Sequence, residues 1–202
     1  MYWDIDYGNF EYLDINLGSG IDIVSVESTH QQNTNINTGI GSDIVNVENI
    51  SGETSVKLGI GDDNLNVGDI NQKLEGISTT LIASGGLGED NLTLDDSGDT
   101  QDNTAIVYDT LITGLGMNGE IDYGNLEDMS IKFGTGRDHI SITGSNTDLS
   151  NITTGDGDDV VNVEKIDSET TIKLQAGNDV INVSNKNQKV DEIASVLIVS
   201  GG

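Results

Sequence analysis

The chain has no cysteine and no proline, and Arg137 is its single arginine. Without cysteine, neither a disulfide framework nor a thiolate metal site can form. Without proline, every residue keeps the N–H that a strand ladder needs. No apolar run approaches the ~18 residues that span a bilayer. Basic residues number only 8 against 35 acidic ones, for a net charge of −27. Nucleic acid and anionic membranes demand clustered Lys/Arg, so the balance excludes both as partners. Self-repulsion on this scale opposes compaction unless counter-ions bind. Met1-Tyr2-Trp3-Asp4 runs directly into repeat sequence, so no signal peptide is expected at this start. An acidic, aromatic-poor chain also suits disorder. Here, however, the aliphatic residues alternate inside short runs bounded by Gly, Asn and Asp, which is the pattern of strands.

What the chain does have is one phrase, repeated. Gly18-Ser19-Gly20-Ile21-Asp22, Gly39-Ile40-Gly41-Ser42-Asp43 and Gly59-Ile60-Gly61-Asp62-Asp63 share the form G-x-G-x-D. It returns at Gly86-Leu87-Gly88-Glu89-Asp90, Gly134-Thr135-Gly136-Arg137-Asp138 and Gly155-Asp156-Gly157-Asp158-Asp159. A degenerate copy, Gln175-Ala176-Gly177-Asn178-Asp179, closes the series. A period of about twenty residues makes each unit one supersecondary step that buries its apolar face only by stacking on its neighbours. Stacking would bring the seven aspartates into a row, and a row of carboxylates needs a cation.

A longer repeat lies above the short one. Ile5-Asp6-Tyr7-Gly8-Asn9 recurs as Ile121-Asp122-Tyr123-Gly124-Asn125, an offset of 116 residues. The register holds to Leu81-Ile82-Ala83-Ser84-Gly85-Gly86 and Leu197-Ile198-Val199-Ser200-Gly201-Gly202. This divides the chain into a first long unit, 1–116, and an incomplete second one, 117–202, within one continuous array. Both ends fall inside a unit. Two expectations follow: a segment of a longer tandem array, or a protomer whose ends stack on other copies to make a fibre.

Positions two and four after each aspartate are aliphatic, as in Val45/Val47, Leu65/Val67 and Val161/Val163, with a polar residue between them. A second strand precedes the glycines, as in Ile36/Thr38 and Val56/Leu58. Steps this short leave no room for a crossover helix. The expected fold is all-β, a parallel β-solenoid of the β-roll or β-helix kind with coils of 20 to 27 residues. An antiparallel sandwich is the alternative, but it gives the aspartate no reason to keep one phase. The period breaks twice. A 27-residue step leaves Asp69 to Thr79 as a loop or a single helical turn. A 48-residue step spans two irregular coils, with strands near Ala105–Tyr108 and Thr110–Thr113.

Glycines let turn carbonyls approach without Cβ clashes, and the aspartate adds an anionic oxygen. Ca²⁺ takes six to eight hard oxygens, many of them backbone carbonyls, whereas Mg²⁺ demands a tighter octahedron. Zinc would want His or Cys, and only His30 and His139 are available. G-x-G-x-D followed by alternating aliphatics resembles the hemolysin-type (RTX) calcium-binding repeat of secreted bacterial proteins. That resemblance implies a parallel β-roll with Ca²⁺ between successive turns, held by the motif aspartate and glycine-loop carbonyls. Carried over by motif, the ligand aspartates are Asp22, Asp43, Asp63, Asp90, Asp138, Asp159 and Asp179. The carbonyl-donating turns carry Gly18, Gly20, Gly39, Gly41, Gly59, Gly61, Gly86, Gly88, Gly134, Gly136, Gly155 and Gly157. The family's motif recurs about every nine residues, whereas here it occurs once per coil, so calcium is expected along one edge only. Seven divalent ions would offset roughly half the net charge. The competing reading makes G-x-G-x-D a tight turn whose aspartate hydrogen-bonds its own backbone. The acidic run Asp95-Asp96-Ser97-Gly98-Asp99-Thr100-Gln101-Asp102 lacks EF-hand spacing and reads either as an isolated calcium loop or as a solvated turn.

The expected function is a non-catalytic, calcium-rigidified spacer or adhesive stalk of a secreted or surface protein. Its partners are calcium, neighbouring repeats or other copies, and surface glycans or proteins. An enzymatic reading would follow the parallel β-helix lyases, which need basic residues beside a sugar carboxylate. Only Arg137 and His139 offer such a pair, and the other motif copies do not repeat it.

Overall fold

The computed structural model describes residues 6–8, 10–145 and 147–202. Among them the chain is all-β, with no helix. In chain order the strands of the first unit are β1 (Tyr12–Asn16), β2 (Ile23–Val26), β3 (Asn33–Asn37), β4 (Ile44–Val47), β5 (Thr54–Ile60), β6 (Asn64–Val67), β7 (Thr80–Leu87) and β8 (Asn91–Asp95). The irregular stretch forms β9 (Thr104–Val107), β10 (Leu111–Gly114) and β11 (Glu120–Gly124). The second unit supplies β12 (Asp128–Lys132), β13 (His139–Ile142), β14 (Leu149–Thr153), β15 (Val160–Val163), β16 (Glu169–Lys173), β17 (Val180–Val183) and β18 (Leu197–Ser200). The 116-residue offset carries β1, β2, β3, β4 and β6 onto β12, β13, β14, β15 and β17 residue for residue.

These strands make two sheets. One has ten strands in the order β1-β3-β5-β7-β11-β10-β9-β13-β15-β17; the other has eight, β18-β16-β14-β12-β8-β6-β4-β2. Every neighbouring pair is parallel except those made by β10, which runs against β9 and β11. Successive strands otherwise alternate between the sheets, an arrangement compatible with a β-solenoid or roll. Period-two patterning explains the burial. In β4, Val45 and Val47 are buried while Ile44 and Asn46 are half-buried, and β15 repeats this with Val161 and Val163. Aliphatic residues of the two sheets meet in one core that includes Ile36, Val56 and Leu58 from the larger sheet and Val45, Leu65 and Leu92 from the smaller. Each such burial contributes about 1.5–3 kcal/mol. The polar turns add their own isoleucines: Ile50 bridges Ile77, and Ile166 bridges Ile193 at the same offset. Residues 69–79 form hydrogen-bonded turns, with the Gln72 N–H donating to Asp69 O and the Ile77 N–H to Leu74 O.

The irregular stretch differs from the expected pair of coils. β9, β10 and β11 lie side by side in the ten-stranded sheet as one antiparallel meander. Three consecutive strands in one sheet shift the alternation by half a step. Before the meander, the strands preceding G-x-G-x-D (β1, β3, β5, β7) belong to the ten-stranded sheet; after it, their counterparts (β12, β14, β16, β18) belong to the other. Because strands within a sheet run parallel, motif turns that leave the ten-stranded sheet sit at one edge. Those that leave the eight-stranded sheet sit at the opposite edge. The single edge expected from the motif is therefore corrected to two.

Candidate metal centre

Along each edge, successive motif turns stack on one another through backbone pairing. The Ile40 N–H donates to Gly18 O at 3.0 Å, and the Gly20 N–H donates to Ile40 O at 2.7 Å. The contact is close enough to require glycine. A Cβ at Gly41, where φ is +145°, would lie 1.8 Å from the Gly20 carbonyl oxygen. Gly157, with φ +155°, stands in the same relation to Gly136. The motif glycines therefore let a carbonyl of one step approach the Cα of the next without a Cβ clash, as the sequence pattern requires.

The stacking aligns the aspartates in two files. At the first edge, the N–H of Asp22 donates to Oδ1 of Asp43 at 2.8 Å, that of Asp43 to Asp63 at 2.6 Å, and that of Asp63 to Asp90 at 3.1 Å. Glu127, in the turn between β11 and β12, ends this file by accepting the Asp90 N–H at 2.7 Å. At the second edge, Asn103 opens the file by donating its N–H to Asp138 Oδ1 at 2.8 Å. Asp138 then donates to Asp159 at 2.8 Å and Asp159 to Asp179 at 3.0 Å. Each bonded carboxylate thus serves the backbone of the preceding step rather than its own.

One oxygen per carboxylate is left over. Oδ2 of Asp43, Asp63, Asp90, Asp138 and Asp159 is buried without a hydrogen-bond partner, and these residues are at most 2% exposed. Asp22 and Asp179, at the outer ends of the files, are half-buried. Burial pushes the Asp90 carboxyl up to about 6, with the Asp63 and Glu127 charges adding to the effect. Burial likewise raises Asp138 to about 6, reinforced by Asp159, Asp102 and Asp99. Asp63 and Asp159 are raised for the same first reason. A buried oxyanion without a hydrogen bond is costly unless a proton or a cation neutralises it.

The acidic run 95–102 sits beneath the start of the second file: the Thr135 N–H donates to Asp99 O, and a Cβ at Gly134 would lie 1.9 Å from that oxygen. Its carboxylates are largely satisfied. Asp96 accepts the Leu74 N–H and one hydrogen of the Asn103 amide, while Asp99 accepts that amide and the Lys73 ammonium at 3.2 Å. Burial pushes Asp96 up to about 7, and the Asp99, Glu75 and Asp138 charges add to it. Among the described residues, no group of three or more His, Asp or Glu side chains is placed to hold one metal ion.

The motif did not disclose Glu127 and Asn103, the residues that close and open the files; the only signal was the 48-residue gap that contains them. Arg137 is exposed, and the His139 ring lies 2.9 Å from the Asn162 amide in an exposed row. Two shallow, open depressions lie away from this pair, one beside Glu127 and Ser145 and one beside His30 and Gln31. No known protein family, curated protein or solved structure matches this chain.

Proposed function

We propose that this chain is a calcium-binding β-solenoid segment of an extracellular protein, non-catalytic, and a stiff spacer or adhesive stalk. The observation that carries the reading is the set of five buried Oδ2 atoms without partners, one per step along two edges. The donor chemistry fits Ca²⁺, since these turns offer carboxylate and main-chain oxygens and no histidine or cysteine. Asp22, Asp43, Asp63 and Asp90 would hold ions at one edge, and Asp138, Asp159 and Asp179 at the other. Glycine-turn carbonyls and water would complete each shell, because no cluster of three carboxylates converges at one point among the described residues. Bound Ca²⁺ supplies positive charge that offsets the files, so metal binding is coupled to folding.

Millimolar calcium outside the cell would order the chain after secretion by mass action. Among the described residues, no helix is long and apolar enough to cross a membrane. Arg137 and His139, the basic pair that chemistry on a sugar carboxylate would need, line neither depression. A calcium titration followed by circular dichroism and light scattering tests the proposal. Strand signal should rise with Ca²⁺ and collapse with EDTA. A spectrum indifferent to both, together with no heat of binding, would end the calcium reading.

A further inference from the structure

The turns of the first edge also carry a row of aliphatic side chains. Parallel register sets Ile40 beside Ile60 and Ile60 beside Leu87, with about 4.8 Å between neighbouring strands. All three stand open to solvent, 55%, 48% and 68% exposed. The row is interior to the stack: the Ile40 N–H donates to Gly18 O on one side, and the Gly86 N–H donates to Asn125 O on the other. Single exposed aliphatics are ordinary, whereas a contiguous row marks a contact surface. The second edge lacks it. The 116-residue offset turns Ile40 into Asp156 and Ile60 into Ala176.

We infer that this row is a self-association surface, on which a second copy of the chain docks edge to edge about a two-fold axis parallel to the stack. The flanks of the row choose the occupant. On one side lie Asn37, Lys57 and Ser84, in register on the ten-stranded sheet. On the other, one turn residue further along each step, lie the exposed Ser42, Asp62 and Glu89. Among the described residues Lys57 makes no ion pair. A two-fold axis along the stack sets each flank against the opposite flank of the second copy. Lys57 then meets the partner's Asp62, Ser84 meets the partner's Glu89, and each aliphatic residue meets its own counterpart. The perpendicular two-fold axis would set Lys57 against Lys57 and Asp62 against Asp62, which like-charge repulsion disfavours. At roughly 0.15 M salt, repulsion between the two acidic chains is screened beyond about 8 Å, while the aliphatic contact is not. Three steps of one edge fall short of the roughly 800 Å² per partner of a standard interface, so the dimer is weak and concentration-dependent. The contact uses no metal ion and is independent of the calcium reading.

Single cysteines test the contact, because the chain has none of its own. The Ile40→Cys, Ile60→Cys and Leu87→Cys chains, each treated with a short bis-maleimide, should each give a covalent dimer. The Asp156→Cys control, at the equivalent place on the second edge, should not. All are compared under a condition in which circular dichroism shows native strand content. In sedimentation the unmodified chain should dimerise as concentration rises. Ile60→Asp should raise the dissociation constant at least about tenfold, since it places a charge in the middle of the aliphatic contact. Lys57→Glu should also weaken the dimer, and the swapped pair Lys57→Glu/Asp62→Lys should restore it. Crosslinking at position 60 alone sets Ile40 opposite Leu87 and overturns the parallel arrangement. Crosslinks no stronger than the control's, with sedimentation independent of concentration, overturn the inference altogether and leave the row to a different partner.

Discussion

Oε2 of Glu127 accepts the N–H of Asp90 at 2.7 Å, in the position that the next motif aspartate would occupy. Glu127 is not preceded by G-x-G-x, yet it continues a chain of backbone-to-carboxylate bonds that begins at Asp22. Replacing it by alanine leaves a backbone donor beside the buried Asp90 without a protein acceptor, a loss of about 1–3 kcal/mol. Glu127→Gln keeps an acceptor and removes one negative charge from beside the Asp90 carboxyl. Thermal melts without metal should therefore rank glutamine at or above the parent and alanine clearly below it.

Asp63 separates the two duties of a motif aspartate. Asp63→Asn retains an oxygen for the Asp43 N–H and removes the charge on the partnerless side. Without calcium at neutral pH, this variant should melt no lower than the parent, because the repulsion from Asp43 and Asp62 is gone. With calcium it should gain less stability than the parent does. An equal calcium-induced rise in both chains would show that Asp63 holds no ion.

Acid should stabilise the metal-free chain. The carboxyls of Asp90 and Asp138 stand near 6 in the fold against 3.8 for an ordinary aspartate. Between those values the folded chain binds more protons than the unfolded one, so stability is fully present below pH 3.8 and is lost as pH rises through about 6. Melts in EDTA from pH 4.5 to 7.5 should fall steadily. Calcium binds the deprotonated carboxylates, so the same series with calcium should lose that slope.

Gly41→Ala and Gly20→Ala compare a stacked turn with an end turn. Both glycines have positive φ, +145° and +126°, but their surroundings differ. A Cβ at Gly41 would lie 1.8 Å from a carbonyl oxygen, whereas one at Gly20 would meet nothing within 4 Å. Alanine at Gly20 meets only backbone strain, about 1–3 kcal/mol. Alanine at Gly41 must also push two steps apart, and denaturant unfolding should show it as the more damaging change.

Much of the fold was legible because its information is local and repeated. Val45 and Val47 alternate with polar neighbours, and a strand pleat turns that alternation directly into burial. The recurrence of Gly41 and Asp43 at matching positions likewise announced stacked turns, and the hydrogen bonds from Asp22 to Asp43 to Asp63 follow from that spacing. The ends of the files were not legible. Glu127 and Asn103 carry no motif, and they act only because the chain brings distant turns, 37 and 35 residues away, against Asp90 and Asp138.

By itself, then, the sequence determined the strands, their inward faces and the repeated acidic corner, since each depends on residues within one step of about twenty. Only the tertiary structure decided on which edge each corner lies. That choice depends on the parity of strands between the two units. The antiparallel pairing of Ile112 with Val107 and Ile121 holds β9, β10 and β11 in one sheet and turns the second file to the opposite side. Pairing partners across a sheet are selected by long-range packing, and no periodicity within a single step records them.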